Sequence, residues 1–64
     1  MIENIYDRKM YNKDRPYVVY YDYYGSFRRF SSLDEALNFV DEQPEVSVCQ
    51  IILYHEDNSM ECIF

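Results

Sequence analysis

No lysine or arginine occurs after residue 29, and this absence shapes everything that follows. The six bases, Arg8, Lys9, Lys13, Arg15, Arg28 and Arg29, share residues 1–29 with four acids, which leaves +2 there. Residues 30–64 hold Asp34, Glu35, Asp41, Glu42, Glu45, Glu56, Asp57 and Glu61 with no base, which is −8. The net charge of −6 is therefore two-sided. A single glycine excludes a glycine-rich phosphate loop. No apolar run approaches the ~20 residues of a membrane span. Met1-Ile2-Glu3 places an acid where a secretory leader needs bases. Two cysteines are too few for the disulfide framework of a small secreted domain, so reduced thiols and a cytoplasmic location are expected. Sixty-four residues make one domain, and a chain this short buries only about 60% of its unfolded surface. That excludes a large enclosed pocket or a nucleotide-binding βαβ pair. Starting at Met, the chain reads as a complete small product.

What is present is globular in composition, at 48% hydrophobic and 28% charged. Residues 1–15 read as an arm or short helix ending before Pro16, with residues 16–64 as the core. Tyr17 to Tyr24 is dense in β-branched and aromatic residues, and Gly25-Ser26 suits a type II′ turn returning through Phe27 to Phe30. That turn predicts Asp22 opposite Arg29 and Tyr21 opposite Phe30. A turn at Tyr24-Gly25 would shift these pairs.

The spacing predicts a helix over residues 33–43. Ser32 is a good N-cap, Glu35 completes a capping box, and Pro44 stops the helix. Leu33, Ala36, Leu37 and Val40 form one apolar stripe; Asp34, Glu35, Asp41 and Glu42 project opposite, with Phe39 on the flank. A second hairpin is expected from a strand at Val46 to His55 and a return at Met60 to Phe64. Folding about Asp57-Asn58 sets Cys62 opposite Leu53, so that Cys49, Ile51, Leu53, Met60, Cys62 and Phe64 share the core face. The two cysteines then lie ~13 Å apart, beyond the ~7 Å that a disulfide tolerates. The simplest way to bury one stripe on one face is a four-stranded, mostly antiparallel sheet with one helix on it. The expected fold is thus α+β, ββαββ, with an N-terminal arm.

Catalysis has little to work with. His55 stands beside Glu56 and Asp57 with no nucleophile or oxyanion loop in view, so it reads as a surface residue of a turn. Cys49, His55 and Cys62 match no zinc spacing, and no metal or cofactor is expected. Tyrosine is the compositional outlier, with eight residues. If a helix covers one sheet face, some of Tyr17, Tyr20, Tyr21, Tyr23 and Tyr24 point away from it, joined by Val48, Ile52, Tyr54 and Ile63. Strand preference explains such a face; so does an interface, since tyrosine gives contact area at low entropy cost. An uncovered face on so small a protein also suits a homodimer. Arg28 and Arg29 beside tyrosines suit single-stranded nucleic acid, but the −8 segment would repel phosphates.

The acids are the sharper clue. Asp34 and Glu35 complement the helix dipole, whereas Asp41, Glu42 and Glu45 oppose it at the other end. One reading is a solubility surface. The other is a negative surface shaped for a basic site on a protein, with Phe39 as anchor. In short length, net acidity, lack of a catalytic motif and a tyrosine-rich sheet, the chain resembles the small acidic proteins that bacteriophages turn against host machinery. These include anti-restriction, anti-CRISPR and other defence inhibitors. The resemblance implies stoichiometric, non-enzymatic inhibition in the host cytoplasm, some members of that class mimicking the charge of DNA. The expected contact residues are Asp34, Glu35, Phe39, Asp41, Glu42 and Glu45 with Tyr20, Tyr21, Tyr23 and Tyr24. A homodimer joined through the tyrosine face is the alternative.

Overall fold

The computed structural model describes residues 10–64. The arm or helix expected in residues 1–15 lies mostly outside that range. Four strands, β1 (Tyr17–Tyr20), β2 (Phe27–Phe30), β3 (Gln50–Tyr54) and β4 (Met60–Cys62), form one antiparallel sheet in the order β2-β1-β3-β4. Helix α1 (Leu33–Asp41) lies against one face, giving the α+β, ββαββ architecture that the sequence predicts.

The helix starts where expected. Ser32 has extended backbone and its Oγ accepts from the Glu35 amide at 3.3 Å. The reciprocal half of the capping box is displaced by one residue: Glu35 Oε2 accepts from the Ser31 amide and from Ser31 Oγ, at 3.3 and 2.9 Å. At the far end the Phe39 carbonyl accepts from the Glu42 amide at 3.2 Å and from Gln43 Nε2 at 3.1 Å, which closes the last turn. Ala36 and Val40 are fully buried against Val19, Cys49 and Ile51, with Leu33 and Phe39 packed at the margin. Leu37, expected in the stripe, is 37% exposed. The helix is turned toward Phe39 because that ring finds aromatic partners, Tyr21 at 5.4 Å edge-on and Phe30 at 5.3 Å.

Both hairpins exist, and both have a different register from the expected one. In the first, Tyr17 pairs with Phe30 and Tyr20 with Phe27, so Tyr21 and Asp22 leave the strand. Asp22 is the cause. Its Oδ1 accepts from the Tyr24 and Ser26 amides at 2.9 and 3.0 Å, folding a loop that a type II′ turn would have kept in the ladder. The slip is even, so each residue keeps its face.

In the second hairpin Ile52, not Leu53, faces Cys62. His55 accepts from the Asn58 amide at 2.8 Å and donates to Ser59 at 2.9 Å, while Asn58 adopts φ 68°. That is a three-residue connection with a left-handed third residue, where two residues had been expected. A one-residue slip turns a strand over. Met60, Cys62 and Phe64 therefore leave the helix-side core and are exposed, while Cys49 and Ile51 stay buried in it. Residues Val46–Val48, expected to begin the strand, form a 3-10 turn instead, because the chain leaving Pro44 must reverse before it can pair. Both thiols are free, and they lie on opposite sides of the sheet. Thiol titration of the native protein should therefore show one fast reaction, lost in Cys62→Ser, and one slow reaction from Cys49, whose thiol burial pushes up.

The outer face is not open at its centre. Val18, Ile52 and Tyr54 are buried there beneath Met10, Tyr11 and Tyr20. Met10 is held across the strands by both backbone groups: its carbonyl accepts from Arg29 Nη1 at 2.6 Å, and its amide donates to Asn58 Oδ1 at 3.3 Å. The chain then turns at Asn12, whose Oδ1 accepts from the Asp14 and Arg15 amides, before entering β1.

Candidate interaction surfaces

The expected contact residues do not share one surface. Alternation along β1 puts Tyr17 on the helix side and Tyr20 on the outer side. Tyr21 follows Tyr17, edge-on to Phe39. Tyr20 hydroxyl lies 3.0 Å from the Tyr54 hydroxyl, and its ring is 5.7 Å from Phe27. Tyr23 and Tyr24 belong to neither face; they stand at the tip of the β1–β2 loop, 83% and 94% exposed. Phe39 is half-buried, with the Arg28 guanidinium 5.4 Å above its ring, so it is engaged within the chain rather than standing free beside the acids.

Burial pushes the Tyr54 hydroxyl up to about 12, with the Tyr20 hydrogen bond and charge adding to it and Arg29 opposing. A hydroxyl that is harder to ionise in the folded chain stabilises the fold fully below its ordinary value of 10.0, and that contribution is lost as pH rises toward about 12. Alkaline titration by tyrosinate absorbance should thus show one late tyrosine that disappears in Tyr54→Phe.

The acids are where the helix puts them. Asp34, Glu35, Asp41, Glu42 and Glu45 are all exposed. Among the described residues the single ion pair is His55 Nε2 with Glu61 Oε1 at 3.5 Å, so none of these five carboxylates has a basic partner. No base occupies the last turn of α1. Two other acids are spent on loop structure. Partial burial would raise the Asp22 carboxyl, but donors from Ser26, Tyr24 and Gly25 outweigh it and hold the group below the usual range. Asp57 is likewise lowered, chiefly by the Ser59 hydroxyl at 2.6 Å and then by its amide.

Comparison with family models, with curated proteins and with solved structures gives no match for this chain. The reading therefore rests on its own residues.

His55 is exposed at the end of β3 and turned to Glu61 of the neighbouring strand. Cys49 sits in the helix-side core while Cys62 lies across the sheet, so the sequence trio with His55 is not brought together. No cluster of three metal-ligating side chains occurs among the described residues. A shallow cleft of about 310 Å3 lies between Tyr11 and the Glu56-Asp57-Asn58 turn. None of the described helices is long and apolar enough to cross a membrane.

What the sequence reasoning missed is the separation of Tyr23 and Tyr24 from the sheet. Asp22, placed two residues ahead of Tyr24 and four ahead of Ser26, was the available signal, because an Asp at that spacing folds the backbone onto its own carboxylate.

Proposed function

We propose that this chain is a non-enzymatic binding protein, an inhibitor of the phage type that occludes a basic site on a host defence or nucleic-acid-handling protein. One observation carries the reading. Helix α1 and the turn after it expose Asp34, Glu35, Asp41, Glu42 and Glu45 without a basic partner among the described residues. Neighbouring carboxylates repel one another, and those at the carbonyl end of the helix also oppose its dipole by some tenths of a kcal/mol each. A basic surface would relieve that repulsion on contact and steer the encounter by long-range attraction. The same field rejects phosphates, which argues against direct binding of nucleic acid by this surface.

The test is a neutral variant, Asp34→Asn, Glu35→Gln, Asp41→Asn and Glu42→Gln together. With a target captured from bacterial lysate and purified, the wild type should bind with affinity that falls steeply with salt. The variant should lose at least tenfold in affinity at low salt and most of the salt slope. Binding and salt dependence equal to the wild type would reject the electrostatic reading.

A second reading, a homodimer through the outer sheet face, is favoured by a separate observation. Met60 and Phe64 are 68% and 48% exposed at the β4 edge, which no other strand pairs among the described residues, and Phe27 is 42% exposed on β2 at the opposite edge. Sedimentation at high concentration decides it, and a monomer there removes it.

A further inference from the structure

Three chain segments meet at one end of the sheet. Tyr20 closes β1 and pairs there with Phe27 at the start of β2 and Gln50 at the start of β3. The β1–β2 loop and the approach to β3 therefore leave the sheet at that end. Tyr21, edge-on to Phe39 at 5.4 Å, fixes the later turns of α1 beside them. The same end thus carries Tyr23 and Tyr24, almost wholly exposed, and the exposed carboxylates of Asp41, Glu42 and Glu45.

The two rings are presented by an ordered loop. Tyr21 donates its amide to Ser26 at 3.2 Å, closing the loop at its base. Asp22 accepts from the Tyr24 and Ser26 amides, and Gly25 supplies the φ of 85° that the return requires. A loop held this way surrenders little entropy when its side chains are covered, which is the usual condition for an aromatic hot spot. The carboxylates beside it lie at the negative pole of a helix that has no base in its last turn. Aromatic faces at the same end as acids that have no ion-pair partner among the described residues attract a cation on an apolar stem, and they repel a phosphate. The surface already shows this preference once within the chain, where Arg28 lies over the Phe39 ring at 5.4 Å.

We propose that the tip end is the anchoring point for a basic protein segment, with Tyr23 and Tyr24 stacking on its arginine or lysine side chains and Asp41, Glu42 and Glu45 pairing with the same cations. This rests on the binding function proposed above and assigns its anchor to the loop tyrosines in place of Phe39.

The test uses the full chain, isotope-labelled for NMR, titrated with an arginine-rich peptide at low and at raised salt. The wild type should shift at Tyr23, Tyr24, Asp41, Glu42 and Glu45. The double variant Tyr23→Ala with Tyr24→Ala should keep its melting temperature, since both rings are exposed, and should bind the peptide about tenfold more weakly. Phenylalanine at both positions should restore binding, because the ring face and not the hydroxyl makes the contact. Peptide shifts confined to Asp34 and Glu35, with the tip unmoved, would overturn the anchor and leave the acidic binding function standing. Absence of peptide binding at low salt would overturn both. Stronger tip shifts with a single-stranded oligonucleotide than with the peptide would overturn the choice of a basic protein.

Discussion

Ile51→Ala is expected to bring the domain close to unfolding at room temperature. Ile51 is the largest of the fully buried side chains, at 0% exposure. It sits on β3 opposite Val19 and reaches the helix through the cluster that holds Ala36 and Val40. Its backbone also closes the sheet on the other side, accepting from both the Ile63 and Phe64 amides, so the surrounding chain has little freedom to fall into a gap. Truncating a buried isoleucine costs about 2–5 kcal/mol, and a site that cannot collapse lies toward the upper part of that range. Below about 70–80 residues one core supplies only ~3–5 kcal/mol of net stability. The loss is then comparable to the whole. Urea denaturation followed by circular dichroism should show the midpoint fall to near zero denaturant. Ile51→Val should lose only about 1 kcal/mol. A small loss in the alanine variant would mean that the helix and sheet are not joined through this residue.

The helix was readable in the sequence because each of its signals is local. Ser32 and Pro44 bracket it, and Ala36 and Val40 supply the buried line. The hairpins were readable as hairpins, from the density of Val, Ile and Tyr around two turn-forming clusters. Their registers were not, because each is decided by one side chain or one dihedral angle. Asp22 draws two amides out of the first ladder, and Asn58 adds a left-handed residue to the second turn. Composition does not reveal which competing turn wins. The covering of the outer face had a signal that alternation alone hides. Val18-Val19 and Ile51-Ile52 are adjacent apolar pairs on the two central strands, and a strand apolar on both sides is a strand buried on both sides. Val18 and Val19 are accordingly both at 0% exposure, one under Met10 and Tyr11 and the other under the helix. Of the expected contact residues, the acids are exposed as the helical periodicity requires. Phe39 is drawn inward by Tyr21 and Phe30, a long-range contact that no local spacing encodes.

Asn58→Val should lower the melting temperature by about 10 °C, and the reason is the register of β4. Asn58 holds φ 68°, a conformation that asparagine tolerates and that a β-branched residue does not. Forcing valine into it costs ~1–3 kcal/mol. The substitution also removes the Oδ1 that accepts from the Met10 amide, loosening the strand-crossing segment over Val18 and Ile52. In a domain of this size each kcal/mol moves the midpoint by about 4–8 °C, so ~2 kcal/mol gives the expected shift. Asn58→Gly separates the two contributions. Glycine accepts the dihedral angle without strain, so it should recover most of the loss and leave only the missing hydrogen bond to Met10. The thiol of Cys62 gives a second readout. While the three-residue turn persists, Cys62 stays on the outer face and reacts quickly. If valine drives the connection toward a two-residue turn, β4 turns over and Cys62 moves into the helix-side layer, where its reaction slows. A valine variant with an unchanged melting temperature and an unchanged Cys62 rate would show that the left-handed residue does not set the register. The exposed places of Met60, Cys62 and Phe64 would then need another cause.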